Sequence, residues 1–124
     1  MGRTRILPGS VCSLWWVAGP SDRFRGQDYF DKLKLAEKAK FQALFERMAR
    51  DGRILNKEQF RKEAGNIYCF KRGQHRLACF REGRDLMLVY GFRKKSNKDK
   101  RSARHIAAAE RIRTEYLDPT QRKS

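Results

Sequence analysis

Acidic residues are scarce in this 124-residue chain: 14 Asp and Glu stand against 30 Lys and Arg, a formal charge of +16. Such an excess goes well beyond what solubility requires and points to an anionic partner, a polyphosphate above all. Long apolar runs are missing too. The longest candidate, Val11 to Ala18, is interrupted by Ser13 and falls far short of the roughly 18 apolar residues a membrane helix needs, so no membrane partner is expected. The same run follows Arg3 and Arg5 in the manner of a signal peptide, yet it carries two tryptophans and reaches Gly19-Pro20 without a small-x-small cleavage site. Cysteine is limited to Cys12, Cys69 and Cys79, an odd number at irregular spacing, which excludes a disulfide framework and fits a reducing cytoplasm. The length excludes an enzyme with separate cofactor and substrate lobes, while 40% hydrophobic content excludes a wholly disordered polybasic tail.

Periodicity divides the chain into three parts. Residues 1–28 read as a loose leader with one strand, from the apolar run ending at Gly19-Pro20-Ser21-Asp22. From Tyr29 to Arg50 there is no Gly or Pro, and Phe30, Leu33, Phe41, Leu44, Phe45 and Met48 share a helical face that stops at Asp51-Gly52. Lys34 and Glu37 project onto that same face. A straight helix would bury their charge, so a break near Lys34 and a two-helix hairpin are expected. Ile54 to Gly65 reads as a linking segment with one helical turn around Phe60. Strands follow over Ile67–Lys71, His75–Phe80 and Leu86–Phe92, the last the most apolar and hence central. A basic run from Arg93 to Arg104 leads to a helix over Ala103–Leu117, with Ser102 as its cap, and a polar tail over 118–124. Charge is uneven: residues 1–70 hold 14 basic and 8 acidic side chains, residues 71–124 hold 16 and 6, which places the anion site on the strand-rich half.

The chemistry concentrates in Lys71-Arg72-Gly73-Gln74-His75-Arg76. If the two strands pair through the Arg72-Gly73-Gln74 turn, Lys71 and Arg76 meet at the mouth of one hairpin, within reach of a single phosphate. Two cations so placed either bind the phosphate or stabilise charge that grows in a transition state. Alternation sends His75 to the other face with Leu77 and Cys79, as a hydrogen-bonded sheet residue, and His105 is expected at the surface. Cys69, His75 and Cys79 match no zinc spacing, so no metal site is expected. No Ser-His-Asp or Cys-His arrangement, no glycine-rich phosphate loop and, in the basic half, no carboxylate pair is readable. Catalysis would then rest on cations, hydroxyls and Tyr90 or Tyr116. Phosphodiester cleavage in which RNA supplies its own 2′-OH meets that restriction without metal or cofactor.

The run Ile67-Tyr68-Cys69-Phe70-Lys71, then Gly73 to Phe80, then Tyr90-Gly91-Phe92-Arg93-Lys94-Lys95 and the helix Ala103 to Tyr116 resembles the RelE/ParE toxin superfamily, in particular its HigB-like, phage-derived branch. Order and spacing agree over roughly residues 29–117, taken as the toxin domain. The resemblance implies an α+β fold, a small antiparallel sheet packed against two N-terminal helices, with a C-terminal helix. It implies a ribosome-dependent mRNA endonuclease of bacterial or prophage origin, neutralised by a small helix-turn-helix antitoxin, with mRNA on the ribosome as substrate. By position it makes Arg76, Lys71 and Lys94 the catalytic candidates. Arg72, Arg93, Lys95, Lys98, Lys100 and Arg101 are the expected RNA contacts. Three departures stand out: Lys71 where many members have arginine, Tyr90 where many have histidine, and about 28 residues ahead of the first helix. The first two leave the acid and base unassigned. A gyrase inhibitor of the ParE type and a non-catalytic RNA- or ribosome-binding protein are the alternative readings.

Overall fold

The computed structural model describes residues 2–96 and 100–118. In chain order the elements are β1 (Arg3–Leu7), β2 (Leu14–Val17), a 3-10 turn (Pro20–Asp22), α1 (Arg25–Asp31), α2 (Leu35–Asp51), β3 (Phe60–Ala64), β4 (Ile67–Arg72), β5 (His75–Glu82), β6 (Asp85–Arg93) and α3 (Ser102–Leu117). The strands form one six-stranded sheet in the order β1-β2-β6-β5-β4-β3. All neighbours run antiparallel except β2 and β6, which pair parallel with Leu14 opposite Leu86. The fold is α+β as expected, but the sheet is larger and mixed. The helices also do not open the chain: α1 and α2 follow two strands, and α3 closes it. Among the described residues, no helix is long and apolar enough to cross a membrane.

The helical break falls where charge demands it. Lys34 takes an extended conformation (ψ 153°) as N-cap of α2, which keeps its side chain exposed, while Phe41, Leu44, Phe45 and Met48 stay on the buried stripe. Gly52, at φ 75°, ends α2 in the left-handed conformation and donates its N–H to the Met48 carbonyl. The structure revises three other expectations. The leader is not loose, because its strand β2 is joined by β1 and both extend the sheet. The helical turn expected around Phe60 closes just at it, the Phe60 N–H donating to the Asn56 carbonyl (3.0 Å), but from Phe60 on the segment is strand β3, whose first ring packs on Phe70 (4.9 Å) across the β3–β4 pair. Ser102 does not cap α3: Arg101 occupies the N-cap, without a side-chain cap bond.

Each sheet face carries its own core. Phe41, Leu44, Phe45 and Met48 of α2 meet Leu14, Trp16, Phe70, Leu77, Cys79, Leu86 and Leu88, and the α1 side chains Tyr29 and Phe30 join them. On the opposite face Ala109, Ile112 and Tyr116 of α3 cover Val17, Ile67, Cys69, Ala78, Phe80, Met87, Val89 and Phe92. One irregularity decides what lies beside the cationic hairpin. In the β5–β6 pair the register steps from Ala78↔Tyr90 to Cys79↔Leu88, so Val89 is an extra residue. Before this bulge the even-numbered residues Leu86 and Leu88 face α1 and α2; after it, Tyr90 and Phe92 face α3.

Candidate nucleic-acid interface

Cross-strand pairing places Lys71 directly opposite Arg76 on the α3 face, one step beyond the buried Cys69 and Ala78. Directly opposed side chains in a sheet start about 5 Å apart at Cβ, so their charges share one patch. Lys94 joins them. Its backbone N–H donates to the Gln74 carbonyl (2.7 Å), and its charge depresses the Lys71 amine together with Arg76 and Arg61. Gln74 holds this strand end in three ways: its Oε1 accepts from Arg93 Nε (2.8 Å) and Nη2 (2.6 Å), and its Nε2 donates to the Lys95 carbonyl (3.1 Å). The three catalytic candidates are thus brought together by the β4–β5 turn and by the bulge.

Their electrostatics suit an anion. Burial is the main influence lowering the Lys71 amine, and also the main influence lowering the Arg76 guanidinium, with Cys69, Glu63 and Tyr29 opposing it at Arg76. Arginine nevertheless remains charged at any working pH. Arg76 Nη1 donates to the carbonyls of Gly73 (2.7 Å) and His75 (3.0 Å), whereas its buried Nε has no partner among the described residues. Among the described residues Arg76 forms no ion pair with Glu82 or Asp85, the carboxylates of the next hairpin. Asp85 instead accepts from the Ser13 backbone and from Trp15 Nε1, both at 3.1 Å, fastening β2 to β6. Beneath the cations, burial pushes the Cys69 thiol far above its ordinary range, so it is no nucleophile.

The expected RNA contacts divide. Alternation puts Arg72 and Arg93 on the α1/α2 face, and Arg93 lies there near Tyr29 and His75. Lys95 is exposed at the end of β6, and Lys100 and Arg101 are exposed where α3 begins. Lys98 lies outside the described residues, as do 119–124 of the tail. His75 does point away from Arg76: its Nδ1 is 2.7 Å from the Tyr29 hydroxyl, and burial is the main cause of its lowered pKa.

Two aromatic groups stand differently from what the sequence suggests. His105 is not a surface residue. It is half-buried, stacked on Phe92 at 4.6 Å with planes 14° apart, and its Nδ1 lies 3.2 Å from the Tyr90 hydroxyl. Phe92 is in turn the β6 partner of Arg76. Tyr116 is buried against Phe80 and takes no part in this patch. Glu63 acts electrostatically on both Lys71 and Arg76, and the sequence gives no sign of it, because the shift in β3–β4 register between Lys62 and Ala64 obscures its direction. The arrangement can grip a phosphate with three cations and has a phenol–imidazole pair nearby for proton transfer.

A family model described as phage derived protein Gp49-like (DUF891) matches residues 28–114, which include the second half of α1, every element from α2 to β6 and most of α3. No curated protein matches the chain.

Proposed function

Because the chain belongs to this phage-derived Gp49-like family, a toxin-like family associated with RelE/ParE-type toxins, we propose that it is the toxin of a type II toxin-antitoxin module, of the HigB-like branch, and a ribosome-dependent mRNA endonuclease. The observation that carries this reading is the meeting of Lys71, Arg76 and Lys94 on one strand face, with a buried Arg76 Nε that lacks a partner. In the proposed reaction the ribose 2′-OH attacks its adjacent phosphorus. The O2′–P bond forms, the P–O5′ bond breaks, and the products are a 2′,3′-cyclic phosphate and a 5′-OH end. Arg76 and Lys71 neutralise the charge that builds on the pentacoordinate phosphorus, and Lys94 holds the backbone in line. The proton lost by the 2′-OH and the one gained by O5′ pass through Tyr90 and His105, the phenol–imidazole pair beside Arg76's neighbour Phe92. The protein then works in the cytoplasm, held in check by an antitoxin, for which the resemblance suggests a helix-turn-helix protein.

The test is induction of the protein alone in bacteria, followed by labelled amino-acid and thymidine incorporation and by mapping of mRNA ends. Translation stops before replication, and ribosome-bound mRNA acquires cyclic-phosphate ends. Intact mRNA with DNA-damage signalling would replace this reading with gyrase inhibition; RNA binding without cleavage would leave a non-catalytic binder.

A further inference from the structure

On a surface this basic, one cleft is lined by carboxylates. It lies on the α3 face, between the β3–β4 turn and the first half of α3, with a volume of about 580 Å³. Its charged lining is Glu63 and Glu110, and no Lys or Arg contributes to it. Glu63 forms no ion pair among the described residues. Glu110 Oε1 accepts from Arg113 Nη1 at 2.8 Å, while its Oε2 stands over the turn, 3.4 Å from where a Cβ on Gly65 would lie. The Ser102 hydroxyl also lines the cleft, and its oxygen is buried without a partner among the described residues, so a ligand atom there would gain it a hydrogen bond. Asn66 adds an amide at the turn, and Ala103 and Ile106 an apolar wall. The cleft adjoins the cationic patch. Glu63 acts electrostatically on both Lys71 and Arg76, and His105, next in the chain to Ile106, stacks on Phe92, the β6 partner of Arg76.

We infer that this cleft is a base pocket, which takes a guanine of the RNA strand whose phosphate rests on Lys71 and Arg76. The inference rests on the RNA reading above and adds what selects the position on the strand. Two carboxylates repel a phosphate, so the occupant is either a cation or an uncharged group rich in donors. Continuity with the cationic patch decides between them. A free cation is repelled by Lys71 and Arg76, whereas a strand held there by its phosphate brings its own bases alongside, and single-stranded RNA is recognised through unstacked bases read on their edges. Guanine alone offers two adjacent donors, N1–H and the N2 amino group, for one carboxylate to accept, and its O6 and N7 suit the Ser102 hydroxyl and the Asn66 amide. Adenine and cytosine set a ring-nitrogen lone pair beside their one amino group, and uracil flanks its N–H with two carbonyls, so each would turn an acceptor toward a carboxylate. The apolar wall covers the face of the ring. In this role Glu63 and Glu110 accept hydrogen bonds and exchange no proton.

The probes are fluorescent 2′-O-methyl hexanucleotides, which lack the attacking hydroxyl and cannot be cleaved, with uridine throughout except for one central G, inosine or A, beside the all-uridine oligomer. Anisotropy at physiological salt reads their affinities. The wild-type chain binds the G oligomer about tenfold more tightly than the all-uridine one, as a good bidentate contact allows, and inosine, which lacks the N2 amino group, falls between them. Glu63→Gln and Glu110→Gln each remove most of this preference, while affinity for the all-uridine oligomer holds or rises because a negative charge has gone. Ala107→Leu, at an exposed lining position, crowds the cleft without changing charge and also removes the preference. Melting curves verify that the variants remain folded. Arg76→Ala weakens every oligomer alike and keeps the order of bases. Equal wild-type affinity for G and uridine, with a common loss in Arg76→Ala, overturns the pocket and leaves the RNA reading standing. Binding indifferent to Arg76→Ala undoes both. A preference that survives all three cleft variants places the base elsewhere, and competition by free guanosine at the oligomer's own concentration makes the cleft a nucleoside site apart from RNA; either result overturns the inference.

Discussion

Arg76 and His75 are adjacent in the chain and serve opposite faces, so each can be altered with the other as its control. If Arg76 forks two oxygens of the scissile phosphate, Arg76→Ala lowers cleavage of ribosome-bound mRNA by about 100- to 1000-fold, the usual loss when one positioned charge donor is removed. Arg76→Lys restores RNA binding and little of the rate, because an ammonium cannot copy the planar fork. Both variants stay within about 1 kcal/mol of wild-type stability, since among the described residues Arg76 forms no ion pair. Full cleavage by a stable Arg76→Ala protein removes it from the site. His75 makes the opposite kind of prediction. Burial and the charges of Arg93 and Arg76 lower its pKa, Glu37 of α2 counteracts them, and Tyr29 of α1 holds its Nδ1. The native state therefore takes up the imidazole proton at lower pH than the unfolded chain does. Between the native value and about 6.5 the unfolded chain binds more protons, so stability is full above that window and declines as pH falls through it. Urea midpoints measured from pH 7.5 to 5 should fall more steeply for the wild type than for His75→Gln. Parallel curves would show that the buried ring does not govern acid sensitivity.

Among the elements, β6 has the most to hold in place. Its Gly91 leaves room for α1: a Cβ there would lie 2.4 Å from Tyr29 Cβ, an atom fixed to the helix backbone and unable to rotate aside. Gly91→Ala is expected to cost about 1–3 kcal/mol, as overpacking usually does, read as a lower urea midpoint with an unchanged m-value. An unaffected midpoint would mean that α1 shifts freely on the sheet. The same strand marks how far the fold could be read from sequence. Periodicity alone exposes the helical break at Lys34, the hairpin pairing Lys71 with Arg76, and the central place of Leu86–Phe92, because each follows from spacing within a short window. The bulge at Val89 does not, since one extra residue in an apolar run leaves the composition unchanged while reversing the face of everything beyond it. The sequence therefore marks Tyr90 only as a hydroxyl and leaves His105 at the surface, although the bulge and α3 bring them within 3.2 Å. The parallel β2–β6 pairing was equally hidden, for a single short strand carries no mark of a partner far along the chain.

Viewed as a whole, the molecule carries its charge on two surfaces: one cationic face converges on Arg76 and another, with aliphatic side chains, flanks Leu55. RNA affinity should fall steeply with salt in proportion to the phosphates neutralised, and removing Lys94 should make that slope shallower by about one unit without changing sequence preference. A slope unchanged in Lys94→Ala would take this lysine off the RNA path. The N-terminal strands close the opposite side of the sheet, where the Ser13 N–H and Asp85 meet across 72 positions. Contacts of such separation close late, and domains dominated by them fold in milliseconds to seconds rather than microseconds. During synthesis β1 and β2 leave the ribosome first yet have no seat until β6 has followed them. Both tryptophans of the chain sit on β2, so their fluorescence reports this final seating. In stopped-flow refolding the tryptophan signal should develop in the slowest phase, after helix formation, and a nascent chain truncated before Asp85 should stay unfolded and harmless to the ribosome that makes it.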